Sequence, residues 1–163
     1  MRVSLRHKER MKMKTIEFKI TIESIGKRIF ATSAYTARAR EAMGTPATIT
    51  ERMTVTADDM PLLHTLMDDS VNEVITLVSH YHPGSNVEFL NDGYSFSIKT
   101  PENFPDDNGC KLEQSIGSYI ADRTLQSWYT DVKPDEAAIT ATKTKNEAVT
   151  LHALLTQREK PHN

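Results

Sequence analysis

Few residues of this sequence have the types and spacing that chemistry requires, and the tightest histidine pair is His80 and His82. At the end of a helix, side chains two residues apart point in different directions, so the two rings would not share a metal ion. The single cysteine, Cys110, is distant in sequence. A metal site is therefore not expected, and the pair is interpreted as a favourable feature of a helix C-terminus.

Two pairs of acidic residues have the composition needed for acid–base catalysis or for binding a divalent cation. Asp58-Asp59 fits the first turn of a helix, where carboxylates cap free N–H groups, and Asp68-Asp69 fits a solvated helix face. Asp106-Asp107-Asn108 lacks the alternating spacing of a calcium loop and is typical of a capping turn. Structural roles are therefore favoured for all three.

Nucleophilic catalysis, phosphate binding and nucleic-acid binding are not indicated either. No serine lies in a Gly-x-Ser-x-Gly motif, and the six glycines are scattered. Arg38, Arg40 and Arg52, near Tyr35, are interpreted as a solvated helix face. We therefore expect that the protein is not an enzyme and that it has no catalytic residue, cofactor or metal ion. A small enzyme whose site is assembled from distant residues is the alternative.

Charge is distributed unevenly along the chain. Residues 1–14 carry a net charge of +5, and residues 15–163 carry a net charge of −7. The basic segment is interpreted as a leader outside the folded domain, since translation could begin at Met1, Met11 or Met13. A nucleic-acid-binding arm is the alternative interpretation.

Length and composition predict one domain that is neither secreted nor embedded in a membrane. The 163 residues are 38% hydrophobic and 26% charged, which is sufficient for a single core. One cysteine cannot form an intrachain disulfide. No apolar stretch is long enough for a signal peptide or a membrane span. The expected compartment is the cytoplasm.

The elements that would position these residues begin with an alternating strand. From Thr15 to Glu23, apolar residues on one face alternate with charged or hydroxyl-bearing residues on the other. Residues 27–43 fit either a strand followed by a helix or one continuous helix. Residues 49–56 are predicted to form an irregular or extended connector.

A helix and a hairpin are predicted in the middle of the sequence. The helix begins at Thr56–Asp59, which resembles a capping box, has Pro61 in its first turn and ends near Tyr81. In the hairpin that follows, Asn91-Asp92-Gly93 supplies the residues that favour the positive φ angles of a tight turn.

Two further helices, Leu112–Tyr129 and Pro134–Gln157, complete the predicted domain. The predicted fold class is therefore α+β, with about three to four helices packed with a small antiparallel sheet or hairpin. We expect a single domain over residues 15–163 that ends in the C-terminal helix.

The last two helices are the predicted site of protein contacts. Residues 112–129 carry apolar side chains on two faces, and the middle of the last helix has almost no large apolar residue. That helix either packs loosely on its own domain or docks against a neighbouring molecule. The candidate interface residues are Tyr119, Leu125, Trp128, Tyr129, Ile139, Val149, Leu151, Leu154 and Leu155.

The order of elements and a few short stretches carry a resemblance to a known group of proteins. The stretches are Thr32-Ser33-Ala34-Tyr35-Thr36-Ala37-Arg38, Ala57-Asp58-Asp59-Met60-Pro61-Leu62-Leu63, Tyr94-Ser95-Phe96-Ser97-Ile98, Ser127-Trp128-Tyr129 and Arg158-Glu159-Lys160-Pro161. Over about residues 15–161, the layout resembles small virion proteins encoded among the head and neck genes of tailed phages and prophages. Those proteins look like head–tail connector (neck adaptor) proteins. The basic leader, residues 1–14, departs from this resemblance.

The resemblance implies a structural role in the neck of a virion, for a protein made in the host cytoplasm. It implies a symmetric ring of identical subunits between portal and tail proteins, with DNA only as passing cargo. It implies no cofactor, no catalytic residue and no membrane. The alternative is a non-viral, soluble protein-binding module with a regulatory or chaperone-like role.

Overall fold

A computed structural model describes residues 12–160 of the chain. Within this range, five α-helices and one three-stranded antiparallel sheet form an α+β fold, which confirms the predicted class. The elements are β1 Met13–Thr21, α1 Ile22–Ala42, α2 Ala47–Met53, α3 Met60–Tyr81, β2 Asn86–Leu90, β3 Gly93–Pro101, α4 Asn108–Val132 and α5 Pro134–Thr156. The predicted number of helices, three to four, is lower than the five observed in this range, because α2 was not expected.

The sheet has β3 in the centre, with β1 and β2 antiparallel on either side. Phe96 of β3 lies opposite Phe18 of β1 and Val87 of β2, and the Phe18 and Phe96 rings stack with their centroids 5.3 Å apart. This apolar face packs against α3 and α4. The opposite face carries exposed charges such as Glu17 and Lys99, so the alternating pattern places one face in the core.

The boundary between β1 and α1 differs from the predicted one. The strand ends at Thr21, whose hydroxyl accepts a hydrogen bond from the backbone N–H of Ser24 at 3.1 Å and so caps α1. One helix then covers the region 27–43 that the sequence left open. Met13 and Lys14, assigned to the leader, belong to β1. Residues 1–11 of that leader lie outside the described residues.

The β2–β3 hairpin forms as predicted, but its turn does not have the predicted geometry. None of Asn91, Asp92 and Gly93 has a positive φ. The Asp92 carbonyl accepts a hydrogen bond from the backbone N–H of Ile22 at 2.9 Å, which fastens the turn to the start of α1. Gly93 serves a different purpose, because a Cβ there would lie 2.4 Å from the carbonyl oxygen of Ile20.

Residues 47–53 form a helix where the sequence predicted an irregular or extended connector. The β-branched residues of this segment favour extended backbone, but burial of Thr50 and Met53 on one side of α2 stabilises the helix. The hydroxyl of Ser33 accepts a hydrogen bond from Val55 N–H at 3.0 Å and ties the following residues to α1. Tertiary packing here outweighs local propensity.

The helix α3 agrees with its predicted signals. The backbone N–H of Thr56 donates to the carboxylate of Asp59 at 2.9 Å, as in a capping box, and Pro61 lies in the first turn. The helix ends at Tyr81, as expected. Among the described residues, no helix is long and apolar enough to span a membrane.

The longest helix, α4, contacts every other helix of the domain core and β1. Only Lys133 separates it from α5, which returns antiparallel along it. The first residue of α4, Asn108, donates to the carbonyl oxygen of Leu154 near the end of α5. The two helices therefore form one tight hairpin.

Candidate interaction surfaces and a buried charge cluster

The N-terminal half of the buried face of α5 is built mainly from polar side chains, and its C-terminal half is built from Leu151 and Leu155. Glu136, Thr140 and Thr144 recur every fourth residue and are buried, and the Thr144 hydroxyl donates to the Gln126 side-chain oxygen at 2.8 Å. Small side chains let two helices approach closely. Of the two alternatives that the sequence left open, loose packing on its own domain does not describe this helix, because polar residues supply contacts that large apolar residues usually provide, and docking of α5 against a neighbouring molecule stays a prediction.

The nine predicted interface residues separate into three groups. Leu125, Tyr129, Leu151 and Leu155 are buried in the core of the chain itself. Side chains in this position cannot contact another molecule while the fold is intact, so these four are corrected to core residues. Their burial follows from the close packing of α5, which the sequence did not reveal.

Tyr119, Trp128 and Leu154 are half-buried and pack against the core. Ile139 and Val149 are 55% and 63% exposed. These two form the outer face of α5 together with Thr142 and Asn146, which are also exposed. Intervals of three, four and three residues place all four along one side of the helix. We call Ile139, Thr142, Asn146 and Val149 the α5 ridge.

A second apolar surface surrounds Trp128. A pocket of about 230 Å³ lies between the start of α3 and the end of α4, and Leu62 beside it is 55% exposed. We call it the Trp128 groove, which is lined by Leu62, Leu66, Ser127, Trp128, Asp131 and Val132. Trp128 also lines an adjoining pocket of about 400 Å³ that contains Glu51, Arg52 and Asp59. The groove is therefore apolar at its centre and mainly acidic at its rim.

The α5 ridge and the Trp128 groove lie on different sides of the α4–α5 hairpin. Asp122 of α4 contacts Lys143 of α5, so Asp122 marks the side of α4 that α5 covers. Trp128, six residues later, points about 120° away from that side. One chain therefore cannot fill its own groove with its own ridge.

A buried charge cluster joins α1, α4 and α5, and its centre is the carboxylate of Asp122, which is 1% exposed. Arg28 Nη2 lies 3.4 Å and Lys143 Nζ 3.3 Å from Asp122 Oδ2. Arg28 also donates to the Ser118 hydroxyl at 3.0 Å. A buried carboxylate requires such partners, so Asp122 holds one cation from α1 and one from α5.

A second carboxyl group, Glu147, lies beside Asp122 and is 19% exposed. Arg28 Nη2 is 3.9 Å from Glu147 Oε1, and Glu147 Oε2 is buried without a hydrogen-bond donor among the described residues. Burial, followed by the hydrogen bond and negative charge of Asp122, raises the pKa of Glu147 to about 8, while Lys143 and Arg28 act in the opposite direction.

A second ion pair joins α1 to the start of α5. Arg40 Nε donates to Glu136 Oε2 at 2.7 Å, and Arg40 Nη2 donates to Glu136 Oε1 at 3.2 Å. Between these two ion-pair systems lies a cavity of about 110 Å³, to which Tyr129 contributes. Burial raises the pKa of Tyr129 to about 12. The cavity has the volume of about three to four water molecules.

The histidine pair is divided between surface and core. His80 is exposed, whereas His82 is buried and donates from Nε2 to the carbonyl oxygen of Leu155 at 2.8 Å. The two rings thus point apart, as expected for a helix end. Cys110 is exposed. Among residues 12–160, no group of three or more His, Cys, Asp or Glu side chains could hold a metal ion.

Members of the acidic pairs and of the arginine group make contacts within the fold. Asp59 caps the turn before α3, and Asp68 accepts a hydrogen bond from the Tyr94 hydroxyl. Arg40 is held by Glu136, while Arg38 and Tyr35 are exposed. The arginines therefore do not act as one uniform basic patch.

The sequence reasoning missed Asp122, Glu147 and the cations around them. One signal was present, because Glu136, Thr140, Thr144 and Glu147 follow helical spacing along the side of α5 that faces the body. A polar stripe of this kind is usually solvent-exposed, so the pattern did not indicate that this side of α5 is buried.

The comparisons with known proteins add no relative. No protein-family model matches this chain, and neither a curated protein nor a solved structure does.

Proposed function

We propose that this chain is a structural virion protein, a head–tail connector or neck adaptor that forms a symmetric ring between portal and tail. The observation that carries the proposal is the presence of two separate surfaces with exposed apolar side chains, Ile139 and Val149 on the α5 ridge and Leu62 in the Trp128 groove, on different sides of one α4–α5 hairpin. In a ring, each subunit presents one surface to the next subunit and a different surface to the previous one. The proposed role is non-catalytic and places the protein in the virion neck after synthesis in the host cytoplasm.

In the proposed ring, the ridge of one copy enters the groove of the next. Ile139 and Val149 supply the apolar contact for Leu62 and Trp128. Lys145, which lies four residues before Val149 and is exposed, would face a groove whose rim contains Glu51, Asp59 and Asp131. Opposite charges at the rim favour the correct pairing of the two surfaces.

The charge of the chain is compatible with DNA as passing cargo. Residues 15–163 carry a net charge of −7, and negative surfaces repel the phosphate backbone. The proposed partners are further copies of this chain together with portal and tail proteins.

The test begins with the particle that the protein forms. Native mass spectrometry and negative-stain electron microscopy of the purified chain, alone and with the portal protein, should reveal a closed ring. A chain that stays monomeric under both conditions would argue for the alternative, a soluble protein-binding module that binds one partner through the Trp128 groove.

Two variants distinguish a ridge-to-groove ring from other contacts. Ile139→Glu alters the ridge and Leu62→Glu alters the groove, and both positions are exposed, so the folded chain should tolerate them. Each variant alone should fail to form rings. Mixed together, they should form a heterodimer, since one intact ridge and one intact groove remain.

Met43→Glu is the matched control, because Met43 is an exposed apolar residue at the end of α1, outside both surfaces. That variant should form rings like the unaltered chain. Rings that persist in both Ile139→Glu and Leu62→Glu would exclude this interface.

A further inference from the structure

Two carboxyl groups, those of Asp122 and Glu147, lie side by side at the junction of α1, α4 and α5. Only Asp122 is well supplied with hydrogen-bond donors. Asp122 receives both neighbouring cations, Arg28 at 3.4 Å and Lys143 at 3.3 Å. Glu147 Oε2 is buried and receives no donor within the described part of the chain. An ionised oxygen in that position would lose its hydration without compensation.

A proton on Glu147 resolves this imbalance. The protonated carboxyl group becomes a donor, and the carboxylate of Asp122 beside it is an acceptor. The resulting O–H···O⁻ hydrogen bond is charge-assisted and stronger than a neutral one. It joins α5 to α4 directly, whereas two ionised carboxylates at the same position would repel each other.

We propose that Asp122 and Glu147 share one proton that acts as a latch, fastening α5 to α4 and to Arg28 of α1, and that loss of this proton loosens α5. The latch is a property of the folded chain and does not depend on ring formation. Because α5 also carries the ridge, release of the proton would weaken the helix that presents this surface.

The charged and titratable groups around Glu147 come from each element packed there. Arg28 faces it from α1, Asp122 and Tyr119 from α4, and Lys143 from α5 itself. On the far side of Tyr119, Glu73 of α3 accepts its hydroxyl hydrogen bond at 3.0 Å. Arg28 and Lys143 are 42% and 52% exposed, so water screens their attraction for Glu147.

The direction of the pH dependence follows from linkage. The pKa of Glu147 is about 8 in the folded chain and 4.5 as its ordinary value. Between these values, the folded chain binds one more proton than the unfolded chain, so stability falls as pH rises. The stabilising contribution of the proton on Glu147 to the free energy of unfolding is fully present below pH 4.5. It is lost progressively as pH rises toward about 8, and it changes no further above that pH.

The first test is a direct titration of the unaltered chain. The side-chain carboxyl carbon of Glu147, assigned through its own backbone by NMR, should titrate with a midpoint near pH 8. A midpoint below about pH 5 would overturn the proposal. This measurement needs no variant and is independent of assembly, provided that it is made on the monomeric fraction or on the ring-deficient Leu62→Glu variant.

The second test compares unfolding equilibria across pH. Glu147→Gln retains an N–H donor toward Asp122 but cannot ionise. Relative to this variant, the unfolding constant of the unaltered chain should rise by about tenfold per pH unit at its steepest, between roughly pH 5.5 and 7.5. Parallel pH profiles for the two proteins would contradict the latch.

Glu73→Gln is the control for the loss of a carboxyl group. Glu73 is paired with Arg123 at 3.1 Å on the surface, outside the α1–α4–α5 junction. Its variant should keep the full pH dependence of the unaltered chain. If Glu73→Gln flattened the profile as strongly as Glu147→Gln, the pH dependence would not belong to the latch.

Discussion

The hydroxyl of Tyr94 donates a hydrogen bond to the carboxylate of Asp68 at 2.7 Å, which ties the centre of the sheet to α3. The Tyr94 ring is fully buried, whereas Asp68 is partly exposed. Burial, with the hydrogen bond and charge of Asp68, raises the pKa of Tyr94 well above its ordinary value. The hydroxyl therefore stays protonated and donates to Asp68 at neutral pH.

Tyr94→Phe should lower the free energy of unfolding by about 1–2 kcal/mol. The ring is retained, and Asp68 can recover part of its hydration, so the loss should stay near the lower range for a hydrogen bond to a charged group. Urea denaturation measures it. Tyr35→Phe, at an exposed position, should change stability by less than about 0.5 kcal/mol. Equal losses in the two variants would show that the Tyr94–Asp68 contact contributes nothing measurable.

Trp128→Ala should reduce both stability and assembly. Its side chain packs against the core, with a buried indole nitrogen, yet it also lines the groove. Because Trp128 is only half-buried, we expect a loss of about 2–3 kcal/mol, below that of a fully buried tryptophan. Thermal and urea unfolding measure the first effect, and native mass spectrometry measures the second. An unchanged melting temperature with lost assembly would assign Trp128 to the interface alone.

Gly93→Ala and Gly117→Ala should act in opposite directions. A Cβ at Gly93 would meet the backbone of Ile20 and Thr21, which cannot move aside without separating β1 from the hairpin. We expect a loss of about 3 kcal/mol or more. A Cβ at Gly117 in α4 meets nothing within 4 Å, so alanine should add about 0.5–1 kcal/mol through higher helix propensity. Chemical denaturation of both variants tests the pair, and a stable Gly93→Ala protein would contradict the close approach.

Acid should destabilise the protein through His82. Burial lowers the pKa of His82, while its hydrogen bond to Leu155 opposes this effect and Arg158 adds to it. Because the folded pKa lies below the ordinary 6.5, the unfolded chain binds the proton first, and stability falls as pH drops below about 6.5 until it passes the folded pKa. The slope is at most about 1.4 kcal/mol per pH unit.

His82→Gln should remove this part of the acid sensitivity, since glutamine can still donate to the Leu155 carbonyl oxygen but does not titrate in this range. Denaturant midpoints at pH 7 and pH 5 measure the difference. His64→Gln, at a partly exposed position of α3, is the matched control and should keep the acid-dependent loss. Identical behaviour of the two variants would exclude His82 as its source.

The sequence predicted those elements whose signals are local. The capping pair Thr56 and Asp59, with Pro61 after it, fixed the start of α3, and the alternating residues of β1 and β3 gave the sheet its buried face. The missed helix α2 has a β-branched sequence, and its stability comes from burying Thr50 and Met53 against distant parts of the chain. Propensity carries no information about such contacts.

The candidate site was predictable only in part. Exposure of Ile139 and Val149 follows from their place on a polar helix, but the burial of Leu151 and Leu155 depends on how closely α5 approaches α4. The Asp122–Glu147 pair was not predicted for a similar reason, because the polar stripe of α5 that contains Glu147 is typical of a solvent-exposed face. The two residues lie on consecutive helices, and only the close antiparallel packing of α5 along α4 brings their carboxyl groups together.

At one pole of the molecule, the first and last described segments meet. Lys12 accepts a backbone hydrogen bond from Glu102, Asn103 accepts one from Glu159, and Lys12 and Arg158 line the same surface pocket. The two ends of the described chain therefore lie close together. A circularly permuted version, with these ends joined by a short linker and new termini opened at the exposed turn of Gly44, would retain every helix and strand.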